Sequence, residues 1–505
     1  MKRFTPLLFV PSLLLAQENE QKQKQPNIVV FLIDDMGVMD TSVPFMVDEN
    51  GNPRSCPLND WYRTPNMERL ANQGVRFNSF YAQSVSSPSR SSILTGQNSA
   101  RHRTTNWISG GSKNTSPHGP KAWNWEGLTK SDVTLPKVLQ SAGYKTIHIG
   151  KAHYGPVGSE GEDPKNIGFD ANVGGCALGH PGSYYGEDGY GHIKGAKSHA
   201  VPHLEKYHGT DAFLTDALTQ EAKREVALAV EQDKPFFLNM CHYAVHGPFM
   251  VDKRYVNNYT DKDKSERAIA FATLIEGMDK SLGDLMDYFE ELGIAENTFI
   301  VFLGDNGSDA PLGKANECTS AAPLRGKKGT EYEGGVRIPF IAGWGKNSDT
   351  TPAQKRTKID AGKIQLQQAT IMDLFPTLLA IADVDLPKGH VYDGYNITTQ
   401  LAGKKDRKRE EQILMHFPHA HNCSYFTTYK DEEWKLIYEY NPKTPTEPRY
   451  RLFNLAVDLN ESNDLSSAEP KQLKKMVEKM VKQLDREGAL FPQDVQGKEL
   501  RPIVP

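Results

Sequence analysis

Cysteine is scarce in this chain. Only five of its 505 residues are cysteines, and they lie far apart without a C-x-x-C pair: Cys56, Cys176, Cys241, Cys318 and Cys423. This pattern excludes a small disulfide-built scaffold and offers no zinc-ribbon motif. An odd count leaves at least one free thiol, so we expect mainly structural cysteines and at most one disulfide bond.

A charge excess of one sign is also lacking. Lysine and arginine total 59, aspartate and glutamate total 63, and the formal net charge is −4. This balance argues against nucleic acid or an anionic membrane surface as a partner. A negatively charged substrate would have to be attracted by local basic groups. After residue 16 no apolar run approaches the roughly 18 residues of a membrane span, so we expect no transmembrane segment.

The amino terminus has the pattern of a secretory signal. Lys2 and Arg3 precede an apolar run over residues 6–15, and Ala16 is followed by a polar stretch. We predict a signal peptide at 1–16, a disordered low-complexity linker at 17–25, and a periplasmic or secreted mature protein. The alternative is a ragged hydrophobic terminus. Because no cysteine follows the apolar run, a lipid anchor is not expected.

Strand and helix patterns alternate between residues 26 and 402. Asn27–Ile33 is a continuous β-branched and aromatic run, typical of a strand buried on both faces. Similar runs occupy 146–149, 236–240, 298–303 and 338–342, and the helical segments lie at 65–73, 135–141, 211–231 and 265–292. This alternation predicts an α/β domain over 26–402, with a large mixed, mainly parallel sheet between two layers of helices.

A polar, basic segment at 403–411 marks a boundary to a second unit, 403–505. Four short strand patterns follow in series, at 412–416, 425–429, 433–440 and 449–455. A helical pattern then runs over 469–487, with apolar residues on one face and Gly488 as its stop signal. We predict a small antiparallel sheet covered by one helix.

Acidic residues follow two of the predicted buried strands. Asp34 and Asp35 come directly after the first strand, and Asp305 and Asn306 come directly after the strand at 298–303 and Gly304. Ligands of open α/β sheets collect at this edge. Four oxygen donors without histidine or cysteine favour a hard cation, Ca²⁺ or Mg²⁺. The alternatives are an acidic helix cap at the first strand and an ordinary Asp-Asn-Gly turn at the second.

A serine-rich string is the most specific motif of the chain. It is Ser86-Ser87-Pro88-Ser89-Arg90, followed at fixed distance by Leu94-Thr95-Gly96. Ser87 suits a helix cap and Pro88 the first helical position, which would place Ser86 at a helix amino end that attracts anions. The string resembles the maturation signature of the formylglycine-dependent (type I) sulfatases of the alkaline phosphatase superfamily, in their serine-type variant.

Further elements resemble the same family in the same order along the chain. They are Gly150-Lys151-Ala152-His153, the segment His242 to Pro248 containing His246, and Arg325-Gly326-Lys327-Lys328 followed by Glu333-Gly334-Gly335-Val336-Arg337. Each element alone is weak, because glycine-flanked basic residues are common in loops. Their order over roughly 300 residues makes coincidence negligible.

The resemblance implies a fold, a cofactor and a set of roles. The fold is alkaline-phosphatase-like, and one Ca²⁺ per chain is held by Asp34, Asp35, Asp305, Asn306 and the modified Ser86. Ser86 is oxidised to formylglycine (3-oxoalanine), whose hydrate offers one hydroxyl to attack sulfur and a second to expel sulfate. The sulfate-neutralising cations are Arg90, Lys151 and Lys328. His246 is the general acid, and His153 is the partner of the second hydroxyl.

The substrate predicted on this basis is a sulfated carbohydrate, with galactose or N-acetylgalactosamine sulfate as the favoured class. Histidine- and aromatic-rich loops at 179–185 and 416–421 suit sugar recognition, and the substrate-binding candidates are His180, His419, His421, Arg101 and His102. Buried structural histidines are the alternative. Serine-type members are matured by radical enzymes that need no oxygen, so an anaerobic sulfatase-maturating enzyme is the expected protein partner.

Two other functions are compatible with these motifs. Related phosphonate and phosphodiester hydrolases use formylglycine as well, and their substrates also carry a single negative charge. An unmodified Ser86 would leave a catalytically silent protein that binds sulfated glycans.

Overall fold

The structure is a computed structural model that describes residues 25–447 and 449–505. The predicted signal peptide and all of the predicted linker except Gln25 lie outside the described residues. The strands are β1 (Asn27–Ile33), β2 (Met46–Val47), β3 (Pro53–Arg54), β4 (Val75–Phe77), β5 (Phe80–Tyr81), β6 (Lys145–Gly150), β7 (Ala171–Val173), β8 (Phe236–His242), β9 (Thr298–Gly304), β10 (Arg337–Ile338), β11 (Phe340–Trp344), β12 (Ile364–Gln365), β13 (Ala369–Thr370), β14 (Gln412–Phe417), β15 (Phe426–Asp431), β16 (Trp434–Glu439) and β17 (Arg449–Asn454).

The α-helices are fewer than the strands in the described part of the chain. They are α1 (Pro57–Trp61), α2 (Pro65–Gln73), α3 (Ser86–Thr95), α4 (Ser99–His102), α5 (Leu135–Ser141), α6 (Leu214–Glu231), α7 (Glu266–Glu291), α8 (Glu333–Val336), α9 (Pro352–Arg356), α10 (Leu374–Ala382), α11 (Thr398–Leu401) and α12 (Pro470–Glu487). None of the described helices is both long and apolar enough to cross a bilayer.

The large sheet has eight strands in the order β12-β4-β11-β9-β1-β8-β6-β7. Its centre is parallel, since β1 pairs in parallel with both β8 and β9. The predicted strand at 338–342 differs from the observed one. It divides at Pro339 into β10 and β11, and β11 runs antiparallel to β9. Proline has no N–H to donate to a ladder, which explains the division.

Both faces of the central strand are buried, as its sequence predicts. Alternate residues of β1 face opposite sides: Val29, Phe31 and Ile33 join a core that includes α6 and α7. Ile28, Val30 and Leu32 join a second core that includes α5 and α10. The sheet is therefore enclosed by helices on both faces, and the predicted α/β fold class is confirmed.

The carboxy-terminal part contains the predicted antiparallel sheet and its helix. Strands β14 to β17 pair in sequence order, and the helix α12 buries Leu473, Met476, Met480 and Leu484. Gly488 ends this helix with φ 68°, in the left-handed region that glycine adopts without strain. The described residues contain no disulfide bond, and all five cysteines are free thiols.

Candidate functional site

Three neighbouring parallel strands end at one edge of the large sheet and deliver the site residues there. Ile33 at the end of β1 is in register with Gly304 at the end of β9 and with His242 at the end of β8. The backbone N–H of Asp305 donates to the Ile33 carbonyl at 3.0 Å, so the two acidic turns lie side by side. The sequence prediction that these acids meet is thus correct.

The acidic turns form a closed cluster of carboxylates. Oxygens of Asp34, Asp35 and Asp305 lie within 4.8 Å of one another, and all three residues are fully buried. The Asp35 N–H donates to Asp305 at 3.0 Å, and the Asn306 amide donates to Asp35 at 3.0 Å. A set of buried oxygen donors with this composition suits a hard divalent cation.

Ser86 is the first residue of α3, and its hydroxyl points at the acidic cluster. Its Oγ lies 3.0 Å from Asp34 Oδ1 and 3.3 Å from Asn306 Oδ1. The predicted capping by Ser87 is wrong, because the helix cap is Val85. The Ser87 hydroxyl instead accepts from the Ile108 N–H at 3.0 Å. Ser86 still occupies the predicted helix amino end, where the dipole favours an anion.

Two lysines contact the cluster. Lys151 Nζ lies 2.7 and 2.6 Å from the two Asp34 oxygens and 3.2 Å from Ser86 Oγ. Lys328 Nζ lies 2.7 Å from Asp35 Oδ2. Both can therefore reach an anion bound in front of Ser86.

Arg90 has a different position from the one predicted for it. It is fully buried, donates to Asp305 at 2.9 Å and to the Lys151 carbonyl at 2.8 Å, and is not among the residues that line the cavity. It lies behind the site and holds both the acidic turn and the lysine loop.

Burial and charge shift the titration of these groups in opposite directions. Burial raises the pKa of Asp34 to about 8, although Lys151 opposes the change. Burial would also raise the pKa of Asp35, but His246 and Lys328 hold it below its ordinary value. Burial lowers the pKa of Lys151. A divalent cation among the carboxylates would favour their charged forms.

A cavity of about 390 Å³ opens in front of Ser86. Its lining contains the predicted Lys151, His153, His246 and Lys328 together with Ser86. His246 Nε2 lies 3.4 Å from Asp35 Oδ2, and burial lowers the pKa of this imidazole to about 3. The sequence elements separated by more than 240 residues in the chain therefore converge on one cavity.

His153 lies on the same wall in a constrained geometry. Its φ is 59°, a left-handed conformation that is uncommon outside glycine. Its Nε2 donates to the Ile108 carbonyl at 2.5 Å, and its buried Nδ1 has no hydrogen-bond partner among the described residues. That nitrogen is free to accept a proton or a hydrogen bond.

The structure sorts the predicted substrate-binding residues into two groups. His180 and His421 line the cavity. His419 does not: it is fully buried, its Nε2 lies 2.9 Å from the Thr105 hydroxyl, and its ring packs edge-on to Trp123. The prediction that His419 faces the substrate is not supported by this placement.

Arg101 and His102 are also directed away from the cavity. Arg101 forms a two-pronged ion pair with Asp393, with the closest contact at 2.6 Å. His102 Nε2 lies 3.0 Å from the Ser92 hydroxyl, and burial lowers its pKa to about 4. Both stabilise the packing after α3 and line no part of the cavity.

Trp107 and His199 line the cavity but were not predicted from the sequence. His199 stacks on His180 with ring centroids 3.9 Å apart. Trp107 lies in the segment held by the Ser87 hydroxyl. Trp107 belongs to an irregular segment and His199 ends a single 3₁₀ turn (Lys197–His199), so no periodicity marks them, and only the chain path brings them to the site.

The family model and the named relatives that resemble this chain in sequence are all sulfatases. The family model described as Sulfatase matches residues 26–384. A protein named Sulfatase from Formosa agariphila is 27% identical over 94% of this chain and 91% of its own length. The N-acetylgalactosamine-6-sulfatase of Mus musculus is 31% identical over 75% of this chain and 67% of its own length. The solved structure of Ps i-CgsB in complex with k-i-k-neocarrahexaose has a TM-score of 0.71, with 24% identity over 94% of this chain and 96% of that one.

Proposed function

This chain belongs to the sulfatase family, and on that basis we propose that it releases sulfate from a sulfated carbohydrate. The proposed nucleophile is Ser86 oxidised to formylglycine, with one Ca²⁺ as the metal. The predicted signal peptide makes it an exported enzyme. An anaerobic maturating enzyme would carry out the oxidation.

The observation that supports this proposal is the setting of Ser86. Its hydroxyl stands at a helix amino end, between a closed carboxylate cluster and Lys151, and it opens into a cavity. An ordinary serine cap would need neither a buried lysine nor three facing carboxylates. The arrangement fits a nucleophile that receives an anionic ester.

The donor set fits the proposed cation. Asp34, Asp35, Asp305, Asn306 and Ser86 would hold it through oxygen atoms alone, as Ca²⁺ prefers. Bound there, the cation supplies neutralisation of the charge on a sulfate oxygen.

The chain's own groups bind and orient the ester. Lys151 contacts the Ser86 hydroxyl, Lys328 contacts Asp35 and lines the same cavity, and both would neutralise the remaining sulfate charge. Arg90 holds the Lys151 carbonyl and Asp305 in place. We assign His246 as the donor of a proton to the leaving sugar oxygen, and His153 Nδ1 as the acceptor beside the nucleophile.

The relatives support a sugar as the leaving group. Several are named N-acetylgalactosamine-6-sulfatase. The favoured class for this chain is galactose or N-acetylgalactosamine sulfate. Trp107, His180 and His421 in the cavity suit a ring with hydroxyls, since aromatic and imidazole groups contact its apolar face and polar edges.

The first test replaces the nucleophile. Ser86→Ala, made in protein co-produced with the maturating enzyme, should lower kcat for sulfate release by at least about 1000-fold, because it removes the attacking group. Sulfate release from a panel of monosulfated galactose and N-acetylgalactosamine is the readout. Unchanged circular dichroism and thermal midpoint serve as the folding control. Undiminished turnover in Ser86→Ala would refute the assignment.

The second test removes the metal. A calcium-selective chelator should abolish sulfate release from the matured enzyme, and Ca²⁺ should restore it better than Zn²⁺, because every proposed ligand is an oxygen. Metal content by mass spectrometry provides the stoichiometry, with one Ca²⁺ per chain expected. Full activity in a metal-free preparation, or two transition metals per chain, would contradict the proposed cofactor.

A further inference from the structure

The cavity wall beyond the Ser86 centre carries no charged side chain among the described residues. Lys151 and Lys328 are the two cationic groups of the lining, and each contacts a carboxylate of the cluster. Apart from His153 and His246, which the proposed mechanism uses, the other lining side chains are Trp107, Ile108, Ser109 and the histidines 180, 199 and 421. The part of the wall left for the sugar is therefore aromatic, aliphatic and imidazole in character.

Two of these imidazoles have their tautomer set by a carbonyl group. His180 Nδ1 lies 3.0 Å from the Pro181 carbonyl, and His153 Nε2 lies 2.5 Å from the Ile108 carbonyl. A carbonyl only accepts, so the contacting nitrogen carries the hydrogen. In the neutral ring the other nitrogen is then an acceptor. Burial lowers the pKa of both rings and so favours their neutral form.

A stack of imidazole rings forms part of the same wall. His199 lies face to face with His180, with centroids 3.9 Å apart and planes 9° apart. His246 lies on the same stack, 5.6 Å from His180 at 11°.

We propose that the sugar ring bearing the scissile sulfate carries no second anionic group. Its class is a monosulfated neutral hexose or N-acetylhexosamine, and not a uronate or a disulfated ring. This inference rests on the proposed sulfatase function of the same site. The acceptor nitrogen of His180 takes a hydrogen bond from a hydroxyl group, whereas a carboxylate or second sulfate would meet its lone pair without a neighbouring free cation and lose its hydration. Trp107 and Ile108 offer contact to the apolar face of the ring.

A matched set of substrates tests the proposal. N-acetylgalactosamine 4-sulfate, 6-sulfate and 4,6-disulfate differ only in the number and place of sulfates. We expect kcat/KM for release of the first sulfate from the disulfate to be at least about tenfold below that of the better monosulfate, because the second sulfate would be buried without a cation. Equal or faster turnover of the disulfate would overturn the proposal.

A variant that adds a positive charge to the cavity lining provides an independent test. His199→Arg adds a cation to the lining and should raise the disulfate-to-monosulfate ratio of kcat/KM by about tenfold, the effect of one added ion pair in a partly buried site. His203→Arg is the matched control, since His203 is exposed in the same segment and does not line the cavity. An unchanged ratio in His199→Arg that keeps the wild-type circular dichroism spectrum and thermal midpoint would contradict the proposal.

Different results contradict the proposed sulfatase function and the inference about the sugar ring. If the matured enzyme releases sulfate from neither the monosulfates nor 4-nitrophenyl sulfate, the proposed function fails. If it releases sulfate from these substrates but prefers the disulfate, only the inference about the ring is wrong.

Discussion

At the scale of single residues, His246 is assigned to donate a proton, yet its burial favours the imidazole form that has already lost one. Burial lowers the pKa of its imidazole to about 3, so the ring is neutral at pH 7 in the substrate-free protein. Its Nδ1 lies 2.9 Å from the Gly247 carbonyl and donates there. The proton for the leaving oxygen must therefore reside on Nε2, where a bound sulfate ester would stabilise it.

The role assigned to His246 predicts a dependence on the leaving group. A sugar alkoxide needs protonation, whereas nitrophenolate hardly does. His246→Ala should lower kcat/KM for a sugar sulfate by about 100-fold or more and for 4-nitrophenyl sulfate by less than about fivefold. Kinetics on both substrates with one enzyme preparation give the comparison. Equal losses would transfer the acid role to another residue, with His153 as the next candidate.

Two histidines of one loop show what sequence can and cannot predict about a residue. His419 and His421 are two positions apart in a loop that the motif pattern marks as a whole. The structure buries His419 against Trp123 and places His421 in the cavity lining. Loop sequences have no fixed period, so the composition indicated the loop but not which of its imidazoles faces the substrate.

At the scale of elements, the turn at Lys328 and Gly329 joins the two parts of the chain. The Lys328 N–H donates to the Ser308 carbonyl at 2.9 Å, and the Gly329 N–H donates to the Ser84 carbonyl at 2.8 Å. From the carboxy-terminal part, Asn422 Nδ2 donates to the Lys328 carbonyl at 2.7 Å, and Cys423 Sγ donates to the Gly329 carbonyl at 2.9 Å. All four backbone polar groups of the turn are thus satisfied.

This arrangement predicts that Asn422 positions Lys328. Asn422→Ala should lower kcat/KM about tenfold on sugar and aryl sulfates alike, because Lys328 contacts the sulfate that both share. In a Lys328→Ala background the same change should have almost no further effect. Asn460→Ala, at an exposed site of the same part of the chain, is the control. Additive losses in the double variant would show that Asn422 acts independently of Lys328.

The end of α12 contains a buried acid that links stability to pH. Glu487 is nearly inaccessible, and its Oε2 has no hydrogen-bond partner among the described residues. Burial, with Asp393 nearby, raises its pKa to about 7 from an ordinary 4.5. The folded state therefore keeps the proton where the unfolded state has lost it. The stability that this pKa shift contributes to the folded state is fully present below pH 4.5 and is lost as the pH rises through 7.

Glu487→Gln removes this dependence while keeping a side-chain oxygen that can accept from the Gln483 amide. From about pH 5 to about pH 8 the wild-type free energy of unfolding should fall relative to the variant, by up to roughly 3 kcal/mol. Denaturant titrations of both proteins at these two pH values measure the difference. A difference in the free energy of unfolding between the two proteins that stays constant with pH would mean that Glu487 is ionised throughout.

At the scale of the whole molecule, the layers were predictable and the direction of one strand was not. Runs such as Asn27–Ile33 are apolar on both faces, which requires helices on both sides of a sheet. The same composition serves a parallel or an antiparallel neighbour, so the reversed direction of β11 could not be predicted. The acidic cluster was predictable because parallel strands end at one edge.

The cavity wall was less predictable than the catalytic centre. Trp107, in an irregular segment, and His199, at the end of a single 3₁₀ turn, reach the site only through the tertiary path of the chain. Arg90 was placed correctly in the motif but lies behind the site, where it contacts Asp305 and the Lys151 carbonyl. Motif order thus predicted which residues gather, while packing determined which of them face the substrate.

The central claim is that Ser86 becomes the nucleophile by oxidation, and the mass of the Ser86 peptide tests it most directly. The protein would be produced with and without an anaerobic maturating enzyme, and each preparation analysed for that peptide and for sulfate release from a monosulfated sugar. We predict a loss of about two mass units, the two hydrogens removed when an alcohol becomes an aldehyde, in step with activity. Full activity in protein whose Ser86 is entirely unmodified would contradict the account.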